Sequence, residues 1–498
     1  MTAGFRVLRA SSLVVAAAAF LSPGLLLGPS ADAAVYVLAG VRIREGFMPY
    51  RDLVDNKPPG TYLANAIGQA VAPWADPWSV AWALSVVACG TSVVIMDALL
   101  RRSIGPRAAW VWSLIYAAGV AGYLTAFGGG LTETYALLPL TLALWLVVTR
   151  RPRARVGLAI GGLLGLACLL SLECVPAAVV LALAYSYSGH NLMEFASRLA
   201  AQVATAGLLA LAVVAWLLET GAAAAAFDQI VPYNQAYRDS GSGPLAVLPV
   251  ALVFFGGLAI PMAMAVRRMV AEPSISDRLG WASLAWIVAY GAYVAYQNRG
   301  FPHYLMLAVA PVTVLSARGL APLWSSLEAR SRTLRQALVA VILALLFSMS
   351  VTLSIGLGAI AVENDRRVND SSAAAAAWIR DNQPSRATMF VWGYDPYLYL
   401  ETDTLQSDAY VYLFPLITPG YGSADRTAAV LERWRTDPPR LIVESDSPVP
   451  LNRPKSAGGD SRELDTLGPL RDFVRAHYRL AASFGETAAF DDVYVFVG

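Results

Sequence analysis

Eleven apolar stretches, each about 15–25 residues long and almost free of charge, leave this chain few ways to fold outside a lipid bilayer. They run at about 11–28, 77–100, 108–126, 132–149, 156–171, 174–188, 199–219, 244–266, 279–297, 303–320 and 336–360. A helix rises 1.5 Å per residue, so about 20 apolar residues cross a hydrocarbon core about 30 Å thick. The fifth and sixth runs are short and separated only by Leu172-Glu173, so they read as a broken or re-entrant pair. Composition agrees: 57% of residues are hydrophobic and 14% charged, against about 25% charged in soluble domains. A net charge of +2 is too even for polyanion steering, which argues against a nucleic-acid partner. Cys89, Cys168 and Cys174 all lie in apolar stretches, so no disulfide framework is implied.

The few charges sort into two regions. Residues 1–360 hold 23 Lys and Arg and 15 Asp and Glu, whereas residues 361–498 hold 14 and 20. The boundary predicts a multi-pass transmembrane domain over 1–360 and a soluble α/β domain over 361–498. In that tail, Ala373–Arg380 and Thr427–Arg435 read as helices, and Ala387–Trp392, Leu441–Glu444 and Asp491–Val497 as strands. Basic residues in short loops mark the cytoplasmic side. One set of loops carries 17 of them, from Arg6 and Arg9 to Arg330, Arg332 and Arg335. The opposite set carries six: Arg42, Arg44, Arg51, Lys57, Arg238 and Arg299. The expectation is a cell-membrane (plasma or inner membrane) protein with its N-terminus cytoplasmic and its tail extracytoplasmic. Ala31-Asp32-Ala33 after the first run also has the form of a leader-peptide cleavage site, but the run is long for a leader, and an intact first span is the favoured reading.

The first outer loop, about 29–76, is too long for a passive connection. It holds Asp32, Tyr36, Glu45, Tyr50, Arg51, Asp52, Asp55, Lys57, Pro58 and Pro59. Ala33–Arg44 reads as a helix lying on the interface, with Asp32 as its N-cap. Pro58-Pro59-Gly60 then stops regular structure. Acids and a single lysine are thereby held at membrane-surface depth. Lys57 is one of two lysines beside 35 arginines, and a compact ammonium is not interchangeable with a guanidinium at a phosphate. Glu133, Arg299 and His303 lie at apolar-run ends on the same face. Each candidate also has a structural reading. Asp52 and Asp55 can pair with Arg51 or Lys57, Glu133 can favour a helix N-terminus, and Arg299 can snorkel. Tyr50, Tyr233 and Tyr304 can be interface-belt aromatics. Asp97 is expected to pair with Arg101, one turn on, and Glu173 stands as an acid between two apolar runs.

Several of these segments resemble the GT-C membrane glycosyltransferases, in particular the family 39-like set that includes protein mannosyltransferases and the lipid A aminoarabinose transferases. The segments are Asp32-Ala33-Ala34-Val35-Tyr36 and Glu45-Gly46-x-x-Pro49-Tyr50-Arg51-Asp52-x-x-Asp55-x-Lys57-Pro58-Pro59-Gly60. Weaker matches are Thr132-Glu133, Val231-Pro232-Tyr233-Asn234, Arg299-Gly300-Phe301-Pro302-His303-Tyr304 and Trp392-Gly393-Tyr394. The resemblance implies a hexosyl- or pentosyltransferase that moves a sugar from a polyprenyl-phosphate donor to an envelope glycan, lipid or protein acceptor. It matches Asp32 to the catalytic acid, although the family often has Asp-Glu where this chain has Asp-Ala. It matches Lys57 to the lysine on the donor phosphate. Asp55 and Glu133 are the other candidate catalytic acids, and Arg299 and His303 are candidate phosphate-binding groups. Tyr50, Arg51 and Asp52 are further outer-loop candidates. No cofactor is expected. No His/Cys/carboxylate spacing resembles a zinc site, and nothing requires a divalent ion, although Asp32, Asp52 and Asp55 have the chemistry to share one. P-loop and dinucleotide-binding fingerprints are absent from the sequence. The competing readings are a transporter or flippase for a lipid-linked sugar or solute, and a non-catalytic envelope scaffold.

Overall fold

The computed structural model describes residues 3–187, 191–274, 277–328, 358–360, 370–445, 447–449, 451, 466–485 and 493–498. Ten of the eleven apolar runs carry helices, from Ala3–Leu27 to Met306–Glu328. The eleventh, 336–360, lies outside the described residues apart from 358–360. Among the described residues, seven helices are long and apolar enough to cross a membrane. The broken pair is present: Ala154–Leu170 and Val175–Ser186 are joined through extended Ser171 and a single turn, Leu172–Cys174. By its internal contacts the chain divides into two compact units.

The helical unit comprises Met1–Leu26, Ala81–Val214 and Ser242–Ala361. Lipid tails are as apolar as the helices, so close backbone approach replaces hydrophobic drive in such a bundle. Gly319 shows this: a Cβ there would lie 1.8 Å from the Pro261 carbonyl oxygen. Asp97, 2% exposed, is neutralised by Arg101 at 3.0 Å as expected and also by Arg9 from the first helix.

The mixed unit comprises Leu27–Val80, Ala215–Gly241 and Val362–Gly498. Its described residues form a five-stranded sheet of β1 (Thr388–Gly393), β2 (Leu405–Gln406), β3 (Leu441–Ser445), β4 (Arg479–Phe484) and β5 (Val493–Val497), ordered β2-β1-β3-β5-β4. β2, β1 and β3 are parallel, whereas β5 and β4 add antiparallel. The parallel strands β1 and β3 are buried along almost their whole length, so they read as continuous apolar runs. Helices 370–382 and Ser423–Thr436 lie at the expected places. The sequence reading leaves β2, β4 and the amphipathic helix Gly468–His477 unassigned. β2 is only two residues long, and β4 is largely exposed. Phe390, Trp392, Leu413, Trp434, Ile442 and Leu470 form the core, with Phe390 edge-on to Trp434 at 4.9 Å.

One expectation is corrected here. The helix of the first loop is Ala31–Arg44, and its N-cap is Ser30, whose hydroxyl accepts from the Ala33 amide at 3.4 Å. Asp32 sits inside the first turn, which leaves its carboxylate available for other partners. The helix is buried from Ala33 to Gly40. At Gly40 it approaches the helix Gly60–Val71 so closely that a Cβ would meet the Asn65 side chain at 2.6 Å.

Candidate active site

Asp55 and Lys57 stand on the irregular segment between Arg44 and Gly60, and hydrogen bonds fix that segment from several sides. Tyr50 adopts a left-handed backbone with φ 70°, costly for a bulky residue. Its amide donates to the Leu53 carbonyl at 2.7 Å, and its hydroxyl donates to the Lys57 carbonyl at 2.8 Å. The Tyr62 hydroxyl, from the following helix, reaches the same carbonyl at 3.1 Å. Gln229 accepts from the Asp55 amide at 3.0 Å and donates to the Tyr50 carbonyl at 2.7 Å. Gln229 opens a π-helical turn, Gln229–Tyr233, a geometry that recurs at functional sites. Beside it, Asn234 and Asn56 exchange two bonds of 2.8 Å. The Val231-Pro232-Tyr233-Asn234 motif therefore belongs to the scaffold of this loop.

The two acids of the site have different surroundings. Asp55 is 4% exposed and accepts from Tyr412 at 2.9 Å on one oxygen and from Tyr62 on the other. Burial pushes its carboxyl up from the ordinary range. The Tyr62 and Tyr412 bonds, the Asn56 amide and the Lys57 charge pull it back. Asp32 is half-buried and accepts from the Tyr394 hydroxyl. Burial, followed by the neighbouring carboxylates, raises the Tyr62, Tyr394 and Tyr412 hydroxyls well above their usual value. All three are therefore neutral donors over the physiological range. The Tyr394 and Tyr412 rings lie 5.1 Å apart, so the donors to Asp32 and Asp55 form one aromatic pair.

Asp52 pairs with Arg51, one of the structural readings open to it. Arg51 grips both its oxygens at 2.9 and 2.7 Å, and the Met48 amide adds a bond of 2.8 Å. The Arg51 bond holds the Asp52 carboxyl below the ordinary range, against its partial burial. Arg51 is further tied to the Thr220 carbonyl at 3.0 Å.

Glu133, Arg299 and His303 belong to the helical unit. Glu133, 2% exposed, opens the helix Thr132–Thr149 and accepts from Thr132 at 3.0 Å. The Thr132 hydroxyl lies 3.5 Å from Ser171, which donates to buried Glu173 at 2.6 Å. Glu133 and Glu173 are thus joined through two hydroxyls. Arg299 is half-buried in the turn before Pro302–Leu305. His303 is buried among Phe127, Phe301 and Tyr304, with ring centroids at 6.0, 5.6 and 4.6 Å. Its Nδ1 has no hydrogen-bond partner among the described residues. Among those residues, no group of three or more His, Cys, Asp or Glu side chains converges to hold a metal ion.

Sequence reasoning misses Tyr62, Tyr412 and Gln229 altogether. The available signal was five tyrosines between 394 and 412, a stretch where interface-belt logic does not apply. The same stretch carries Glu401, on a cavity of about 300 Å³ shared with Arg42, Asp76 and Tyr397. Burial pushes the Glu401 carboxyl up to about 7, with Asp395 adding, Arg380 opposing and Asp76 adding. A carboxyl raised by folding contributes stability that is complete below its unfolded value and is lost as pH rises through the folded one. Glu401→Gln is therefore expected to flatten the dependence of Tm on pH between the ordinary value of 4.5 and about 7, and to raise Tm above that window. Thermal unfolding followed by tryptophan fluorescence at a series of pH values checks this, and parallel curves for wild type and variant would contradict it.

Comparison with solved structures identifies the architecture. ArnT from Cupriavidus metallidurans, solved bound to undecaprenyl phosphate, superposes with a TM-score of 0.63 at 14% identity, covering 100% of this chain and 98% of that one. The Archaeoglobus fulgidus oligosaccharyltransferase, tethered to an acceptor peptide, gives 0.52 at 13% identity over 88% of this chain and 69% of that one. The mycobacterial arabinofuranosyltransferase AftD gives 0.50 at 13% identity over 100% and 42%. No protein-family model matches the chain, and no curated protein is similar to it in sequence. The fold is GT-C, a multi-pass membrane architecture, with a small sheet domain near the C-terminus.

Proposed function

We propose that this protein is an integral membrane glycosyltransferase that moves a sugar from a polyprenyl-phosphate donor to an acceptor hydroxyl outside the cytoplasm. The observation that carries the reading is a half-buried carboxylate, Asp32, oriented by a neutral tyrosine donor and set in the same unit as Lys57 on a clamped loop. Asp32 takes the acceptor proton as general base. The acceptor oxygen bonds to the anomeric carbon, the bond from that carbon to the phosphate oxygen breaks, and polyprenyl phosphate leaves. A single displacement inverts the anomeric centre. Lys57 holds the phosphate and stabilises the charge that develops on it. Asp55, with both oxygens already engaged, positions the loop and takes no proton. Arg299, His303 and Glu133 belong to the helical unit, and this reading gives them no step.

Two further observations support this reading. The ArnT structure shares the fold and contains undecaprenyl phosphate. The helical unit also holds an apolar cavity of about 500 Å³, lined by residues such as Phe20, Tyr123, Phe254 and Val312, which suits an isoprenoid chain. The arginine distribution supports a cytoplasmic N-terminus and an outer C-terminal domain. The buried Glu133–Glu173 network favours a second reading, a transporter for a lipid-linked sugar or solute. Mass spectrometry of envelope glycans and glycolipids from cells with and without the protein separates the two. The transferase reading expects one component to lose a hexose or pentose unit, restored when the protein is supplied again. Unchanged glycans, together with substrate movement in proteoliposomes, would establish the transporter instead.

A further inference from the structure

The mixed unit contains a second polar cleft, of about 560 Å³. One wall is the stretch Glu45–Asp52, just ahead of Asp55 and Lys57, and the other is Gln406–Ala409 with Arg433. The Val54 amide donates to the Ala409 carbonyl at 2.8 Å, joining the two walls next to the loop acids. We infer that this cleft is an acceptor subsite for a neutral saccharide. The inference rests on the glycosyl-transfer reading above and adds the class of molecule that receives the sugar.

The charge pattern points to a neutral ligand. Every charged wall residue already has a partner within the protein: Arg51 with Asp52 at 2.7 Å, Arg433 with Asp408 at 2.8 Å, and Glu45 with Arg42 at 2.6 Å. An anion or a cation would have to compete with these pairs, whereas a polyol leaves them intact. The wall also suits hydroxyl recognition, because carboxylate, guanidinium and amide groups offer planar sets of acceptors and donors. Those groups are held in place. Gln406 accepts from Arg42 at 2.9 Å and reaches the Asp52 carbonyl at 3.4 Å, and the Asp408 residue is 5% exposed. The buried Ser407 hydroxyl oxygen has no hydrogen-bond partner among the described residues. The half-buried Phe47 ring, with the Arg42 guanidinium 5.8 Å from its centre, adds an apolar surface. The volume falls within the roughly 300–1,000 Å³ typical of small-molecule sites.

The test uses the full-length chain in lipid nanodiscs. Maltose, mannobiose and arabinobiose serve as neutral probes, and a glucuronic-acid disaccharide and inorganic phosphate as charged ones. Binding is followed by saturation-transfer NMR, and polyprenyl phosphate binding is measured in parallel. At least one neutral disaccharide is expected to bind saturably. Arg51→Gln and Asp408→Asn are each expected to weaken it about tenfold or more while leaving polyprenyl phosphate binding intact. Asp408 is buried, so Arg51→Gln, at an exposed position, keeps the test independent of folding. The inference is overturned if no neutral disaccharide binds, if the charged probes bind more tightly, or if both variants bind as wild type does. Retained polyprenyl phosphate binding in those cases confines the failure to the cleft. Absent polyprenyl phosphate binding by the wild-type chain overturns the transfer reading and this inference with it.

Discussion

Asp32→Asn is expected to lower sugar transfer from a polyprenyl-phosphate donor by about 10²–10⁴-fold, the usual contribution of a positioned general base. The substitution isolates the proton step. An asparagine keeps a side-chain oxygen that can accept from Tyr394, so the local geometry survives. It cannot take the acceptor proton. Asp32 is not the cap of its helix, since Ser30 is, so the variant leaves the start of Ala31–Arg44 capped. Initial rates of radiolabelled transfer in membranes, normalised to protein level, measure the effect. Asp239→Asn is the matched control, because Asp239 is exposed, pairs with Arg238 at 2.6 Å and lines neither the site nor the cleft. Transfer by the Asp32 variant at the wild-type rate would remove Asp32 from the mechanism.

Lys57→Ala is expected to weaken polyprenyl phosphate binding by roughly 10–150-fold, corresponding to about 1.5–3 kcal/mol for a hydrogen bond to a charged group. Both tyrosine clamps on this residue end at its backbone carbonyl, so truncating the side chain leaves them in place. The measurement therefore reports on the ammonium and not on the fold of the loop. Lys57→Arg should recover only part of the loss, because a guanidinium is a planar fork and an ammonium a point donor. An unchanged Kd for Lys57→Ala would remove Lys57 from donor binding.

The parts of this molecule that could be read in the sequence are those dictated by local pattern. Apolar runs marked ten helices because burial in lipid leaves a helix as the only way to satisfy the backbone. β1 and β3 were legible as short apolar blocks, and Asp97 found Arg101 because four residues make one turn. Pairing of Asp52 or Asp55 with Arg51 or Lys57 was legible from their closeness in sequence, but not which acid would pair. The rest depends on residues far apart in the chain. Nothing near Asp55 in sequence announces Gln229 or Tyr412, which are 174 and 357 residues away. The Asp32 cap was misplaced because Ser30 and Asp32 are both good caps, and only the backbone at Ser30, with φ −64° and ψ 159°, decides between them. The Arg9 partner of Asp97 went unseen for the same reason of distance, 88 residues.

The tyrosine donors also set a timetable for the nascent protein. Asp32 and Tyr394 are 362 residues apart, which at about 5–20 residues per second is roughly 20–70 s of translation. Throughout that interval the ribosome has delivered the acid but not the hydroxyl that orients it. A chain cut short before residue 394 would carry most of its bilayer helices and neither Tyr394 nor Tyr412. With Asp32 as the proposed general base, competence for transfer is acquired late, and a chain ending before Tyr394 is expected to insert in the membrane without transferring sugar.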